Sequence, residues 1–142
     1  MHLAIGSDHA GYDLKSHLIN RLQEAGYTIT DHGPTSADSV DYPDFAHPVA
    51  DQVEKGEADL GLLMCGSGNG INMSANKHAG VRSALCWLPE IAALARQHNN
   101  ANVLCLAARF TELETAKNIT NAFLSAEFEA GRHERRVAKI PC

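Results

Sequence analysis

The sequence has no hydrophobic run long enough to cross a membrane and no pair of closely spaced cysteines. No window approaches the ~18 uncharged apolar residues that a membrane span needs, and the first residues lack the basic start of a secretion signal. The four cysteines are far apart and form no CxxC pair, a pattern that fits neither a disulfide scaffold nor a zinc site. We therefore expect a cytoplasmic protein with free thiols, no membrane partner and no bound metal.

Positive charge is also scarce. The chain has 12 lysines and arginines against 17 aspartates and glutamates, a formal net charge of -5. Such a balance disfavours a nucleic-acid or anionic-membrane partner, although a local group of arginines can still bind a small anion. The chain lacks internal repeats and linkers, and its 142 residues predict a single domain over residues 1–142.

What the sequence does contain is a regular alternation of apolar strands and amphipathic helices. One helical face is carried by Leu14, Leu18, Leu22 and Ala25, which recur at spacings of four, four and three. The predicted strands are 2–7, 27–30, 60–65, 81–86 and 102–107. The predicted helices are 14–25, 44–55, 71–78, one that Pro89 opens and that includes 91–95, and a last one that begins at Thr111. This order predicts an α/β fold with one parallel sheet and helices on both faces. In such sheets, ligands bind at the carboxyl ends of the strands.

Two of these strand ends carry reactive side chains. Asp8 and His9 follow the first strand, where they can do acid–base work or bind sugar hydroxyls; alternatively, Asp8 caps the next helix. Cys65 ends the third strand, directly before the glycine-rich loop 66–70. The backbone N–H groups of such a loop can bind an oxyanion or a phosphate and favour the thiolate form of a neighbouring cysteine.

Simpler interpretations of this loop stay open, namely a tight strand–helix turn and a buried inert cysteine. The glycine spacing does not match the dinucleotide-binding fingerprint, and the loop has no lysine for a nucleotide P-loop. Cys86 and Cys105 lie within predicted apolar strands, so we expect them to be inert.

Further polar residues follow the fourth helix and the fifth strand. His98 is flanked by amides at a helix end, which favours an acid–base role over a core position; a histidine that stabilises the helix dipole is the alternative. Arg109, Arg132 and Arg136 carry guanidinium groups suited to phosphate. Arg132 and Arg136 are four residues apart, as on one helical face, and a solvated basic surface is the alternative for them.

In this order and spacing, the motifs resemble the ribose-5-phosphate isomerase B family of sugar-phosphate isomerases over essentially the whole chain. The matching motifs are Gly6-Ser7-Asp8-His9-Ala10-Gly11, Asp41-Tyr42-Pro43, Cys65-Gly66-Ser67-Gly68-Asn69-Gly70, Ala75-Asn76-Lys77, Arg96-Gln97-His98-Asn99, and Gly131-Arg132-His133 with Arg136. The resemblance implies a Rossmann-like three-layer α/β/α sandwich with a five-stranded parallel sheet. It also implies a homodimer or dimer of dimers with shared active sites, and interconversion of D-ribose 5-phosphate and D-ribulose 5-phosphate without metal or cofactor.

The resemblance also assigns roles to individual residues. Cys65 would be the base that moves a proton between C1 and C2, with Ser67 helping to relay it, and His98 the acid that opens the furanose ring. Asp8 and Tyr42 would lie near that ring. The remaining substrate contacts would come from Gly66, Ser67, Gly68, Asn69, Gly70 and Asn99, with the phosphate among His9, Arg109, Arg132 and Arg136.

Two positions specify the branch of the family. One branch lacks the cysteine and uses a glutamate just after the loop. Ile71 stands there in this chain and cannot take a proton, so the resemblance is to the cysteine branch. Ser67 stands where that branch often has threonine.

The same residues are also compatible with other functions. The same isomerisation could act on allose 6-phosphate, galactose 6-phosphate or a tetrulose phosphate. A non-catalytic sugar-phosphate sensor would be expected to lose Cys65 or His98, and both are present. A flavodoxin-like redox module would favour a functional thiol pair, which the cysteine spacing does not offer.

Overall fold

The computed structural model describes residues 1–142 and contains one five-stranded sheet. The strands are β1 (His2–Ser7), β2 (Thr28–Asp31), β3 (Leu60–Cys65), β4 (Ser83–Leu85) and β5 (Val103–Ala107). The helices are α1 (Tyr12–Glu24), α2 (Pro43–Glu54), α3 (Asn69–Ala75), α4 (Pro89–Asn99), α5 (Leu113–Ser125), a 3₁₀-helix (Gly131–His133) and α6 (Glu134–Val137). None of the helices combines the length and the apolar character needed to cross a membrane.

All strand pairs are parallel, in the order β2-β1-β3-β5-β4, which confirms the predicted sheet. The central strand β3 is buried along its whole length, because its alternate side chains enter two different core clusters. Leu62 and Met64 pack with α1, α4 and α5, whereas Leu63 and Cys65 pack with α2 and α3. The fold is therefore the expected Rossmann-like three-layer α/β/α sandwich.

Several predicted boundaries are wrong in detail. α3 begins at Asn69, inside the glycine loop, because Gly68 takes a left-handed conformation (φ 76°) that starts the helix earlier than expected. Thr111 does not begin α5, whose N-cap is Glu112. Ala25 is exposed at the end of α1 instead of continuing its buried face.

The C-terminal segment also differs from its prediction as one helical face. Arg132 lies in the 3₁₀-helix and Arg136 in α6, so the two residues belong to successive short elements. Both side chains are exposed.

Lys15 was not predicted to be buried, yet only 1% of it is exposed. Its ammonium donates to both carboxylate oxygens of Asp31, at 2.6 and 2.8 Å, and to the Pro34 carbonyl at 3.0 Å. Three acceptors satisfy its three donors, as a buried charge requires. Lys15 thereby ties α1 to the start of the loop that leads from β2 to Tyr42.

Candidate active site

Asp8 lies at the carboxyl end of β1 and is 8% exposed. Its backbone N–H donates to the carbonyl of Met64, the residue before Cys65, at 3.1 Å. One carboxylate oxygen accepts the Gly11 N–H at 3.0 Å, which closes the turn before α1, and the other accepts no hydrogen bond within the chain. Asp8 therefore has the local role that capping suggested and also keeps one oxygen available beside the end of β3.

His9 is held in one tautomer by the neighbouring loop. The backbone N–H of Val40 donates to its Nδ1 at 3.2 Å. Because Nδ1 accepts, the ring proton lies on Nε2. His9 thus presents an N–H donor suited to an oxygen of a phosphate or sugar.

Cys65 ends β3 with 4% of its surface exposed and leads directly into the glycine loop. The carbonyls of Cys65 and Gly66 accept the backbone N–H groups of Ala108 (2.9 Å) and Arg109 (3.0 Å), which follow β5. The Arg109 guanidinium lies over Gly66, since a Cβ built on this glycine would lie 3.2 Å from Nη1. A Cβ at this position would crowd the guanidinium, so glycine leaves room for a cation beside Cys65.

The loop itself presents unpaired donors. The N–H groups of Ser67 and Gly68 donate no hydrogen bond within the chain. The Ser67 hydroxyl accepts the Asn69 N–H at 3.3 Å, and both of these side chains are exposed. This arrangement can stabilise an anionic oxygen through backbone N–H groups.

Tyr42 forms one wall of the site. It is 40% exposed at the start of α2, and its ring packs flat on the loop at Gly70. A Cβ on Gly70 would lie 2.5 Å from Tyr42 Cζ, so only glycine permits this contact. The structure thus brings one group together at the carboxyl edge of the sheet, namely Asp8, His9, Tyr42, Cys65, Gly66, Ser67, Gly68, Asn69, Gly70 and Arg109.

The other predicted residues lie at the opposite edge. His98 and Asn99 end α4, which starts after β4 and returns the chain to the start of β5. Because β3 and β5 run side by side in the same direction, the start of β5 lies beside Gly61, four residues from Cys65. That stretch alone spans about 13 Å, so His98 and Cys65 lie towards opposite ends of the strands.

A second group forms around His98. Its ring stacks on that of His133, with centroids 4.1 Å apart and planes at 11°. The Nε2 atoms of both rings lie 3.7 Å from Oε2 of Glu129. Burial lowers the pKa of His133, and the neighbouring charges of His98 and Arg132 act in the same direction.

Sequence reasoning gave no role to Glu129 or His133. Glu129 lies between two helices in a stretch without periodicity, so no pattern marks it. His133 belongs to a matched motif, but only its stacking on a residue 35 positions earlier (133 against 98) distinguishes it. Tertiary contact was the missing signal in both cases.

Neither measurable cavity is lined by Cys65 or its loop. Cavities of about 450 and 250 Å³ lie around Arg82 and the C-terminal segment, near the start of β4. The glycine loop instead lies on an open surface. The candidate residues therefore form two separate groups, one at each edge of the sheet.

Comparison with known proteins gives a consistent result. A family model described as Ribose/Galactose Isomerase matches residues 3–140. The chain is 46% identical over 138 residues to ribose-5-phosphate isomerase B of Escherichia coli (strain K12), covering 97% of this chain and 93% of that one. It is 51% identical over 139 residues to a probable ribose-5-phosphate isomerase B of Mycoplasma genitalium, covering 96% and 91%.

Solved structures of similar proteins superpose on almost the whole chain. A ribose 5-phosphate isomerase of Thermotoga maritima is 48% identical with a TM-score of 0.97, covering 99% of this chain and 97% of that one. The Mycoplasma genitalium ribose-5-phosphate isomerase B with bound ribulose-5-phosphate is 48% identical with a TM-score of 0.94, covering 98% and 93%.

Proposed function

The chain belongs to the ribose/galactose isomerase family and is an aldose–ketose isomerase, and on this basis we propose that it interconverts D-ribose 5-phosphate and D-ribulose 5-phosphate. The names of its relatives and the ribulose-5-phosphate bound to one of them support this substrate. The observation that carries the chemistry is Cys65 at the end of β3, beside unpaired loop N–H groups and next to Gly66, over which the Arg109 guanidinium lies.

The first step opens the furanose ring. An acid donates a proton to the ring oxygen, the bond between that oxygen and C1 breaks, and the proton of the C1 hydroxyl returns to the acid. Histidine is the side chain most often used to both give and take a proton in such a step, and His98 is the candidate here. The position of His98 at the end of α4, with its side chain 36% exposed, supports this role.

The second step moves a proton between carbons. The Cys65 thiolate removes the C2 proton of the open aldose, giving an enediolate, and returns the proton to C1 while a proton passes from the C2 hydroxyl to O1. The free N–H groups of Ser67 and Gly68 stabilise the anionic oxygen. One such donor is worth about 3 kcal/mol in comparable sites. The Ser67 hydroxyl is the candidate relay between the two oxygens.

Phosphate binding aligns the substrate. His9 offers its Nε2–H, and Arg109 offers a guanidinium over the loop. Arg132 and Arg136 are exposed, without carboxylate partners, on the short C-terminal helices. Because the phosphate is held at a fixed place, part of its binding free energy serves to position C1 and C2 beside the thiolate.

The separation of the Cys65 and His98 groups favours a site shared between two copies of the chain. His98 and Asn99 lie at the amino edge and Cys65 at the carboxyl edge, so we propose that each site joins the Cys65 edge of one copy to the His98 edge of another. Large exposed apolar side chains on and after α3, β4 and α4 are candidates for the contact, because such residues mark interaction surfaces. They are Met73 (63% exposed), Trp87 (61%), Leu88 (48%) and Leu94 (41%).

The function is tested by assaying a panel of pentose, hexose and tetrose phosphates with the wild type, Cys65→Ala and Cys142→Ala. We expect ribose 5-phosphate to be the preferred aldose, and the loss of a proton-transferring base to cost at least about 100-fold. Binding of ribulose 5-phosphate, followed by calorimetry, should be largely retained. Cys142→Ala is the control, because Cys142 is exposed and distant from the loop in the chain.

Two results would contradict the proposal. Preference for a hexose or tetrose phosphate would overturn the substrate. Turnover by Cys65→Ala near the wild-type rate would overturn the assignment of the base.

A further inference from the structure

The group around His98 contains two side chains to which the proposed reaction gives no role. Glu129 follows α5, and its backbone N–H donates to the carbonyl of Gln97 at 3.0 Å. The Glu129 main chain is therefore fixed to the residue next to His98. Its carboxylate lies 3.7 Å from His98 Nε2, so the separation of the two groups depends on few rotatable bonds.

His133 is brought onto His98 by an unusual backbone turn. Ala130 has φ 52° and ψ -134°, a conformation that costs a residue with a Cβ about 1–3 kcal/mol. Gly131 follows with φ 55°. The turn folds the 3₁₀-helix back, so that the His133 ring, 9% exposed in its side chain, lies flat on the ring of His98.

A shared metal ion does not suit this geometry, although three ligand atoms lie within 4.8 Å of one another. The two imidazole planes are nearly parallel, with centroids 4.1 Å apart. An ion about 2 Å from both ring nitrogens would lie between the planes, whereas the lone pairs of the nitrogens lie within them. The stacked rings are instead suited to a role in which His133 holds the imidazole of His98 in place.

We propose that Glu129 and His133 are positioning residues for His98, the stacked ring fixing the plane of the imidazole and the carboxylate facing its Nε2. This inference rests on the proposed function. With Nε2 directed at Glu129, Nδ1 is the atom that gives a proton to the ring oxygen and takes one back from the C1 hydroxyl. His98 therefore carries the same number of protons before and after ring opening.

The charges around His98 are consistent with this division of roles. The groups that face the pair are Glu129, Arg132 and Arg136. Burial lowers the pKa of His133, so its ring is neutral at neutral pH. Glu129 is then the one acidic group that contacts either ring, at the same distance from both.

Ring opening can be measured apart from the proton transfer at carbon. Conversion of ribose 5-phosphate needs both steps. Ribulose 5-phosphate is open-chained, because the hydroxyl that would close a furanose from C2 carries its phosphate. The exchange of its C1 hydrogen with D₂O, followed by NMR, therefore reports the chemistry of Cys65 without ring opening.

We expect Glu129→Gln to lower the conversion of ribose 5-phosphate about tenfold, which is part of the 10²–10⁴ that acid catalysis contributes. The C1 exchange of ribulose 5-phosphate should stay within about twofold of wild type. His98→Asn should show the same pattern with a larger loss. Glu127→Gln is the matched control, an exposed glutamate two residues away without an ion pair, and should match the wild type in both assays.

A second pair of variants tests the stacked ring. His133→Phe keeps a flat ring on His98 and should retain conversion, whereas His133→Ala removes it and should lose conversion but not exchange. Equal loss in both variants would overturn the stacking role.

The proposal is overturned if Glu129→Gln converts ribose 5-phosphate at the wild-type rate, or if conversion and exchange fall together. A wild type that neither converts nor exchanges would instead remove the proposed function, and this inference with it. The wild-type assays therefore distinguish the two failures.

Discussion

At the scale of single residues, the surroundings of a thiol matter more than its burial. Cys65, Cys86 and Cys105 are all at most 4% exposed. Burial raises the pKa of Cys86 to about 11 and also that of Cys105, which keeps both as neutral thiols. Cys65 alone ends its strand beside free backbone N–H groups. The sequence indicated this difference through the glycine loop that directly follows Cys65, because neighbours in the chain are a local property.

His133 makes stability depend on pH. Its pKa in the folded chain is lowered from an ordinary value of 6.5, mainly by burial. Between the two values the unfolded chain binds more protons, so the free energy of unfolding falls as the pH drops below about 6.5. We expect urea unfolding between about pH 7.5 and pH 5.5 to show this loss, and His133→Phe to reduce it. Exposed His17 supplies the control, His17→Gln, and parallel pH curves for wild type and His133→Phe would contradict the prediction.

At the scale of elements, the turn from β3 to α3 depends on glycine for two different reasons. Gly66 and Gly70 leave room for Arg109 and Tyr42, which belong to other parts of the chain. Gly68 takes a left-handed conformation and also lies against Leu85 and Leu106. The number of glycines predicted a tight turn, but only packing against other parts of the chain shows what each of them accommodates.

Comparing Gly68→Ala with Gly56→Ala separates backbone strain from steric overlap. Both glycines have positive φ, 76° and 71°, but nothing lies within 4 Å of a Cβ on Gly56. A Cβ on Gly68 would overlap Leu85 Cδ1 and lie 3.2 Å from the Leu106 carbonyl. We expect Gly56→Ala to cost about 1 kcal/mol in urea unfolding, and Gly68→Ala about 1–3 kcal/mol more. Equal losses of unfolding free energy in the two variants would mean that the loop accommodates the added Cβ without steric strain.

At the scale of the whole molecule, the candidate residues form two groups at opposite edges of one sheet. Parallel strands require each connecting helix to return the chain to the starting edge. A residue at the end of such a helix therefore lies far from the carboxyl ends of the strands. His98 and Cys65 are separated for this reason, and a second copy is the proposed means of joining them.

Mixing two inactive variants tests the shared site. Neither Cys65→Ala nor His98→Asn should turn over ribose 5-phosphate efficiently. In a mixed dimer, one site would combine the intact Cys65 of one copy with the intact His98 of the other. After denaturation and joint refolding at equal amounts, we expect about a quarter of the wild-type activity for a two-fold symmetric dimer. Activity no higher than that of the separate variants would contradict the shared site, and light scattering gives the oligomeric state.

The sequence by itself determined the alternation of strands and helices and the identity of the loop after Cys65. Both depend on neighbours in the chain, namely apolar periodicity and the glycines that follow a strand. The shortness of β4 and the start of α3 inside the loop were not predicted, because hydrogen bonds to β5 and packing at Gly68 set them.

Tertiary structure alone decided which candidate residues share an edge. Arg109 reaches Gly66 because β5 lies beside β3. Glu129 meets His98 because its backbone N–H donates to the Gln97 carbonyl, and His133 meets His98 because a turn at Ala130 folds the C-terminal segment back. These contacts join residues 31 to 43 positions apart (98 to 129, and 66 to 109), over which no periodic pattern extends. Chain direction in a parallel sheet, a property of the complete fold, places Cys65 and His98 at opposite edges.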